Sequence, residues 1–184
     1  MPRYFEDFHL GDEVVTPGRT IFEADVVNFF YLSGDQNEAH SNLEVARRMG
    51  LDGPSVQWNL VFALVAGLIM RSGLYTGDGP LSGAVDARPS GPGAQPPEGP
   101  VLAEGTAGSG LGAGTGLGVG YHGFQFNNLR PVRVGDTIHC VVRVGALRDL
   151  GDRGVYRRDV RVYNQRGELV QLGWHEMEIA KRPR

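Results

Sequence analysis

The longest apolar run in the chain, Leu60 to Met70, has eleven residues and contains one glycine, Gly67. It is well short of the roughly 20 residues that span a bilayer. Within Val56 to Arg71 almost every residue from Leu60 onward is apolar. A helix that is apolar on nearly every side must be covered nearly all round. Ala63, Ala66 and Gly67 would let it lie close against a neighbour. Ser55 is placed to cap its start, and Gly73 to close its end. The segment therefore predicts a central helix wrapped by the rest of the chain.

The wrapping has to come from strands. Leu10 to Val15 reads as a turn followed by a short strand, ended by Thr16-Pro17-Gly18. Strand character returns after Tyr121, with partial alternation through Phe126. Arg130 to Asp136 ends in a Gly-Asp turn, and Thr137 to Leu147 is rich in β-branched residues. A hairpin turn at Leu150 to Arg153 leads to a strand at Gly154 to Tyr163. A second turn at Asn164 to Glu168 leads to a last strand, Leu169 to Ile179. Three long strands with short connections make an antiparallel sheet. The fold class is α+β.

Between the first strand and the central helix the chain is helical. Thr20 and Glu23 have capping-box spacing, so a helix can begin near Ile21. Val26, Val27, Phe29, Phe30 and Leu32 predict one buried stripe, and the helix should stop near Ser33-Gly34. Ser41 or Asn42 can cap a short helix through Met49, closed by Gly50. Residues 77 to 120 stand apart: fourteen of these 44 are Gly, six are Pro and none is aromatic. With so little side-chain surface to offset ordering, this stretch reads as a mobile excursion from a single domain spanning 1–184. Residues 82–86 could form one strand.

Bulk properties exclude several classes. The chain has 184 residues, a formal charge of −3 and 21% charged residues. No strong positive field would draw it to nucleic acid or anionic lipid. The single cysteine, Cys140, permits no internal disulfide, and as a strand residue it reads as a buried thiol. No spacing of ligands suggests a metal. The N-terminal sequence lacks a basic start and an apolar run, so a cytoplasmic protein is expected. The glycines of 105–120 lack a Gly-Lys-Ser/Thr ending, which argues against a phosphate-binding loop.

The polar connection Gly34-Asp35-Gln36-Asn37-Glu38-Ala39-His40 carries the chemistry. On local grounds Asp35 reads as a turn residue and His40 as a polar residue near the next helix start. The order of features, however, resembles the MaoC-like hydratase/dehydratase family. Leu10-Gly11-Asp12 is similar to its entry strand. Ser33-Gly34-Asp35-Gln36-Asn37-Glu38-Ala39-His40 resembles its "sGD.N..H" motif, followed by the short helix of Asn42 to Met49. Asn127-Leu129-Arg130-Pro131-Val132 with Gly135-Asp136-Thr137 resembles "PV..GDT". Asn164 to Glu168 resembles the hairpin before its final strand. The resemblance covers residues 10–75 and 120–180.

The resemblance implies a hotdog fold, an antiparallel sheet curled around the central helix. It implies an acyl-coenzyme A thioester as substrate, a homodimer or higher homo-oligomer, and no cofactor beyond the coenzyme A of the substrate. The implied reaction adds water reversibly across a trans-2-enoyl-CoA double bond. That chemistry needs a base for water and an acid for carbon. It also needs donors for the developing enolate oxygen. Asp35 and His40 are the implied acid/base pair, supported by Asn37, Ser33 and Gly34. The donors would be backbone N–H groups of Ser55, Val56, Gln57, Trp58 and Asn59 at the start of the central helix. Many family members have His-Gly in that region, whereas this chain has Gln57-Trp58-Asn59. His122 is a candidate for lining the pocket, and Arg88, Arg130 and Arg133 for meeting coenzyme A phosphates. Two other readings remain: a non-catalytic acyl-CoA-binding or scaffold protein of the same fold, and an acyl-CoA thioesterase.

Overall fold

A computed structural model describes residues 3–74 and 118–183. Six strands form an antiparallel sheet: β1 (Glu13–Val15), β2 (Arg19–Thr20), β3 (Gly118–Asn128), β4 (Thr137–Asp149), β5 (Arg153–Tyr163) and β6 (Leu169–Ala180). The main order is β1-β4-β5-β6-β3, and β2 also pairs with β4. Among the described residues the α-helices are α1 (Glu23–Ser33), α2 (Leu43–Arg48) and α3 (Trp58–Arg71). The long β4, β5 and β6 follow one another through tight turns, as the sequence predicts. β3 begins at Gly118, earlier than expected. Arg88 and the proposed strand at 82–86 lie outside the described residues, as does all of the Gly/Pro-rich stretch up to residue 117.

The inner face of the sheet and α3 make the core. Leu60, Val61, Val65, Leu68 and Ile69 of α3 are buried together with Ile138, Cys140, Val142 and Val144 of β4, and with Tyr156, Val160 and Val162 of β5. Burying each such aliphatic side chain contributes about 1.5–3 kcal/mol. Among the described residues α3 is not covered all round: Asn59, Ala63, Gly67 and Met70 are exposed. Its start also differs from expectation. Gln57 occupies the N-cap position and no side chain caps the helix. Ser55 instead belongs to an extended segment that bridges to Arg133.

α1 shows a second difference. Thr20 does not form a capping box with Glu23; its hydroxyl lies 2.7 Å from that of Thr137. Asp25 takes the capping function and accepts from the Phe22 N–H at 2.9 Å. Of the expected apolar stripe only Val26 is buried, Phe29 and Phe30 are half-buried, and Val27 and Leu32 are exposed. Asn42, rather than Ser41, caps α2 by accepting from the Glu44 and Val45 N–H groups.

The N-terminal turn, Phe5–Asp7, packs against β5. The Phe8 ring stacks on Tyr156 with centroids 4.6 Å apart. Phe5 rests on Gly154, where any Cβ would meet the ring. Cys140 is fully buried, and burial pushes its thiol up to about 12, so it is chemically quiet. Among the described residues no helix is long and apolar enough to cross a membrane.

The inner face also carries a buried polar pair. The Arg158 guanidinium donates to Nδ1 of His175 from Nε at 3.0 Å and from Nη2 at 2.7 Å. Nδ1 must therefore bear the lone pair. Burial, with Arg158 beside it, brings the imidazole down to about 3 from 6.5. Phe62 and Phe126 pack around the ring.

Two predictions follow from this core. Leu68→Ala should lower the free energy of unfolding by about 2–5 kcal/mol, read from urea denaturation. His175 is protonated in the unfolded chain below pH 6.5 but not in the native one until about pH 3. The unfolded state then binds more protons, so stability present above pH 6.5 is lost as pH falls toward 3, at up to about 1.4 kcal/mol per pH unit. His175→Gln keeps an acceptor for Arg158 but cannot titrate. Its urea midpoint should fall less steeply between pH 7 and 4 than that of the wild type.

Candidate active site

α1 ends where Gly34 adopts the left-handed conformation, φ 71° and ψ 8°, with its N–H on the Phe30 carbonyl. A residue with Cβ is strained there, so glycine is what lets the chain leave the helix sharply. The Ser33 hydroxyl donates to the Phe29 carbonyl at 2.6 Å and accepts from the Asp35 N–H at 3.1 Å. Asp35 is thus held just beyond the helix end. Asn37 accepts from the Ala39 N–H at 2.9 Å and caps the short turn Glu38–His40. Ala39 is buried and anchors that turn.

His40 is fixed by the segment before α3. Its Nδ1 lies 2.7 Å from the Ser55 carbonyl oxygen and 3.3 Å from the Ser55 hydroxyl. A carbonyl only accepts, so Nδ1 carries the hydrogen and donates. Nε2 is left with its lone pair and stands 4.0 Å from the Asp35 carboxylate. The Ser55 N–H donates to the Ala39 carbonyl, and the Val56 N–H to the Val132 carbonyl. His40 is therefore registered, through Ser55 and Val56, to residues 132–133 in the connection between β3 and β4. The His40 side chain is 13% exposed and that of Asp35 37%. The imidazole is sheltered and the carboxylate keeps contact with solvent.

A cleft of about 550 Å³ opens beside His40. Val26, Val27, Phe30 and Tyr31 of α1 form its apolar wall; Asp52, Pro54 and Arg133 stand opposite. Arg133 donates to Asp52 at 2.7 Å across the rim. The α1 side chains are the part of this site that sequence reasoning missed. Their apolar character was visible, but it pointed to a buried stripe, and only the 52–54 turn standing opposite makes it a cleft wall.

The other candidates divide. Arg133 reaches the cleft. His122 does not: it pairs with Glu178 at 2.5 Å, where Arg153 also meets that carboxylate at 3.3 Å. Arg130 is exposed beyond β3 and does not line the cleft. Val56 is in the core, Trp58 packs against the core, Asn59 is exposed and Gln57 is fully buried.

Known proteins share the fold that carries this site. No family model matches the chain. Protein MaoC of Klebsiella aerogenes is 38% identical over 72 residues, which are 39% of this chain and 22% of that protein's length. The solved structure of a monoamine oxidase regulatory protein from Archaeoglobus fulgidus superposes with a TM-score of 0.71 at 26% identity, covering 99% of this chain and 97% of that one. The chain resembles the MaoC-like hydratases and dehydratases in part of its sequence and in its hotdog fold. Its MaoC-like fold is shared with a MaoC-like dehydratase from Rhodospirillum rubrum, with a TM-score of 0.67 at 22% identity over 99% of both chains. It is also shared with an (R)-hydratase from A. caviae, with a TM-score of 0.60 at 21% identity over 97% of this chain and 99% of that one.

Proposed function

We propose that this protein hydrates a trans-2-enoyl-CoA reversibly, with Asp35 and His40 as the reacting pair. The observation that carries the reading is the fixed imidazole. Nδ1 is tied to the Ser55 carbonyl, and the Nε2 lone pair faces the Asp35 carboxylate 4.0 Å away. Two acceptors at that separation suit one water that donates a hydrogen to each. His40 Nε2 takes one proton from the water while its oxygen bonds to C3 of the substrate. The C2=C3 electron pair moves toward the thioester oxygen as an enolate. Asp35 accepts a hydrogen bond from the water's second O–H, which stays on the oxygen as the product hydroxyl, and its carboxylate stabilises the imidazolium. The enolate then takes the proton from Nε2 onto C2, which completes the addition and restores the pair.

Charge on the thioester oxygen would be met by N–H groups at the start of α3, which lack helical partners. The Trp58 side chain packs against the core, and this supports reading it as fold material with its N–H still available. Arg133, on the rim, would face the coenzyme A moiety. A homodimer is part of the same reading. β3 is the outermost strand of its edge among the described residues, and Phe124 on it is 58% exposed. Pairing two such edges would bury both.

Loss of enoyl thioester absorbance is the direct assay, with crotonyl-CoA and longer trans-2-enoyl-CoA substrates. Wild type should consume the chromophore without releasing thiol. Asp35→Asn and His40→Ala should each be at least ~100-fold slower while keeping the native circular dichroism spectrum. Equal rates in all three proteins would remove the pair from the mechanism. Thiol release would indicate hydrolysis instead, and acyl-CoA binding without turnover a carrier. Light scattering should give at least twice the 19.9 kDa chain mass; a monomer would refute the dimer.

A further inference from the structure

Gln57 is 1% exposed, and among the described residues neither the nitrogen nor the oxygen of its carboxamide has a hydrogen-bond partner. Burying an amide with both ends unpaired is costly, and native folds avoid it unless something else satisfies the group. The amide does not cap α3, although it sits at the N-cap position of that fourteen-residue helix. The local backbone indicates which way it faces. Ser55 is in an extended bridge, Val56 is in the core, and Gln57 has φ −60° and ψ 133°. Side chains alternate along extended backbone. Ser55 and Gln57 therefore share the side opposite Val56, and on that side the Ser55 hydroxyl meets His40.

We infer that Gln57 is a specificity-determining residue that reads a neutral hydrogen-bonding group, a hydroxyl or a carboxamide, on the acyl chain. The inference rests on the acyl-thioester reading above and specifies its substrate class. One carboxamide offers donors and an acceptor together. A hydroxyl or another amide satisfies both ends; an alkyl chain satisfies neither. A carboxylate would leave the Gln57 oxygen facing negative charge. The surroundings also disfavour an anionic acyl group. Glu23 and Asp52 line the cleft, Asp35 stands beside His40, and Arg133 is already paired with Asp52. A site that holds a polar group with buried partners discriminates far more strongly against the analogue lacking it than an apolar pocket does.

The test compares wild type with Gln57→Leu as full chains, with Gln57→Met as the second variant if leucine is not accommodated. Turnover of crotonyl-CoA is measured against 4-hydroxycrotonyl-CoA. Binding of the non-reacting pair, butyryl-CoA and 4-hydroxybutyryl-CoA, is measured by calorimetry. Wild type should favour the hydroxylated member by at least ~10-fold in both measurements, and the variant should lose that preference. The melting temperature of the variant should be unchanged or higher, because an apolar side chain of similar size leaves no amide unpaired. The same ratio in both proteins overturns the inference, and a lower melting temperature with that same ratio marks a structural amide. A shifted binding ratio without turnover upholds Gln57 and sinks hydration. Hydration with an unshifted ratio does the reverse. No binding of either ligand overturns both.

Discussion

The extended segment at Ser55 and Val56 ties together the parts of the chain that form the candidate site. One side of it receives the imidazole of His40 and pairs with the Ala39 carbonyl; the other reaches Val132 and bridges to Arg133. The loop after α1 is polar and has little buried surface of its own. Apart from Ala39, its residues from 34 to 41 are exposed or half-buried. Such a loop gains a defined geometry only from partners that are themselves fixed. Here those partners are held by the connection between β3 and β4, and the sheet that carries it packs on α3.

Much of this was legible before any coordinates. The eleven-residue apolar run called for a helix inside a wrapping, and the alternating C-terminal half supplied the strands. Asp35 and His40 were legible from the motif, and the structure brings their side chains to 4.0 Å. Less legible were choices between equivalent local signals. Ser55 has the chemistry of a helix cap, but the chain stays extended through Gln57, so its carbonyl and hydroxyl go to His40 instead. Thr20 and Asp25 could both cap α1. Distant residues decide between them: Thr137 takes the threonine, and Arg19 at 2.6 Å holds the aspartate.

Charged partners across the sheet were invisible for the same reason. His122 looked like a pocket residue because it sits near a strand start. A register shift between Tyr121 and Gly123 leaves His122 out of the ladder, and its imidazole meets Glu178, 56 residues away. His175 and Arg158 are 17 residues apart and face each other only because β5 and β6 pair with Arg158 opposite His175. No spacing rule announces such pairs; they follow from pairing register, which is a property of the whole sheet.

The hydrogen bond from His40 to the Ser55 carbonyl has a further consequence. It gives the imidazole a frame of reference outside its own loop. The position of Nε2 is measured from the connection between β3 and β4 and not from the residues on either side of His40. Gln36, Glu38 and Ser41 are exposed, and changes there redraw the outline of the loop while the ring keeps its place. A change at residues 132 or 133 moves the coordinate origin itself, from a position with no contact to the imidazole. Tolerance to substitution around this histidine is thus set by distance from the Ser55 carbonyl in space, and hardly at all by distance along the chain.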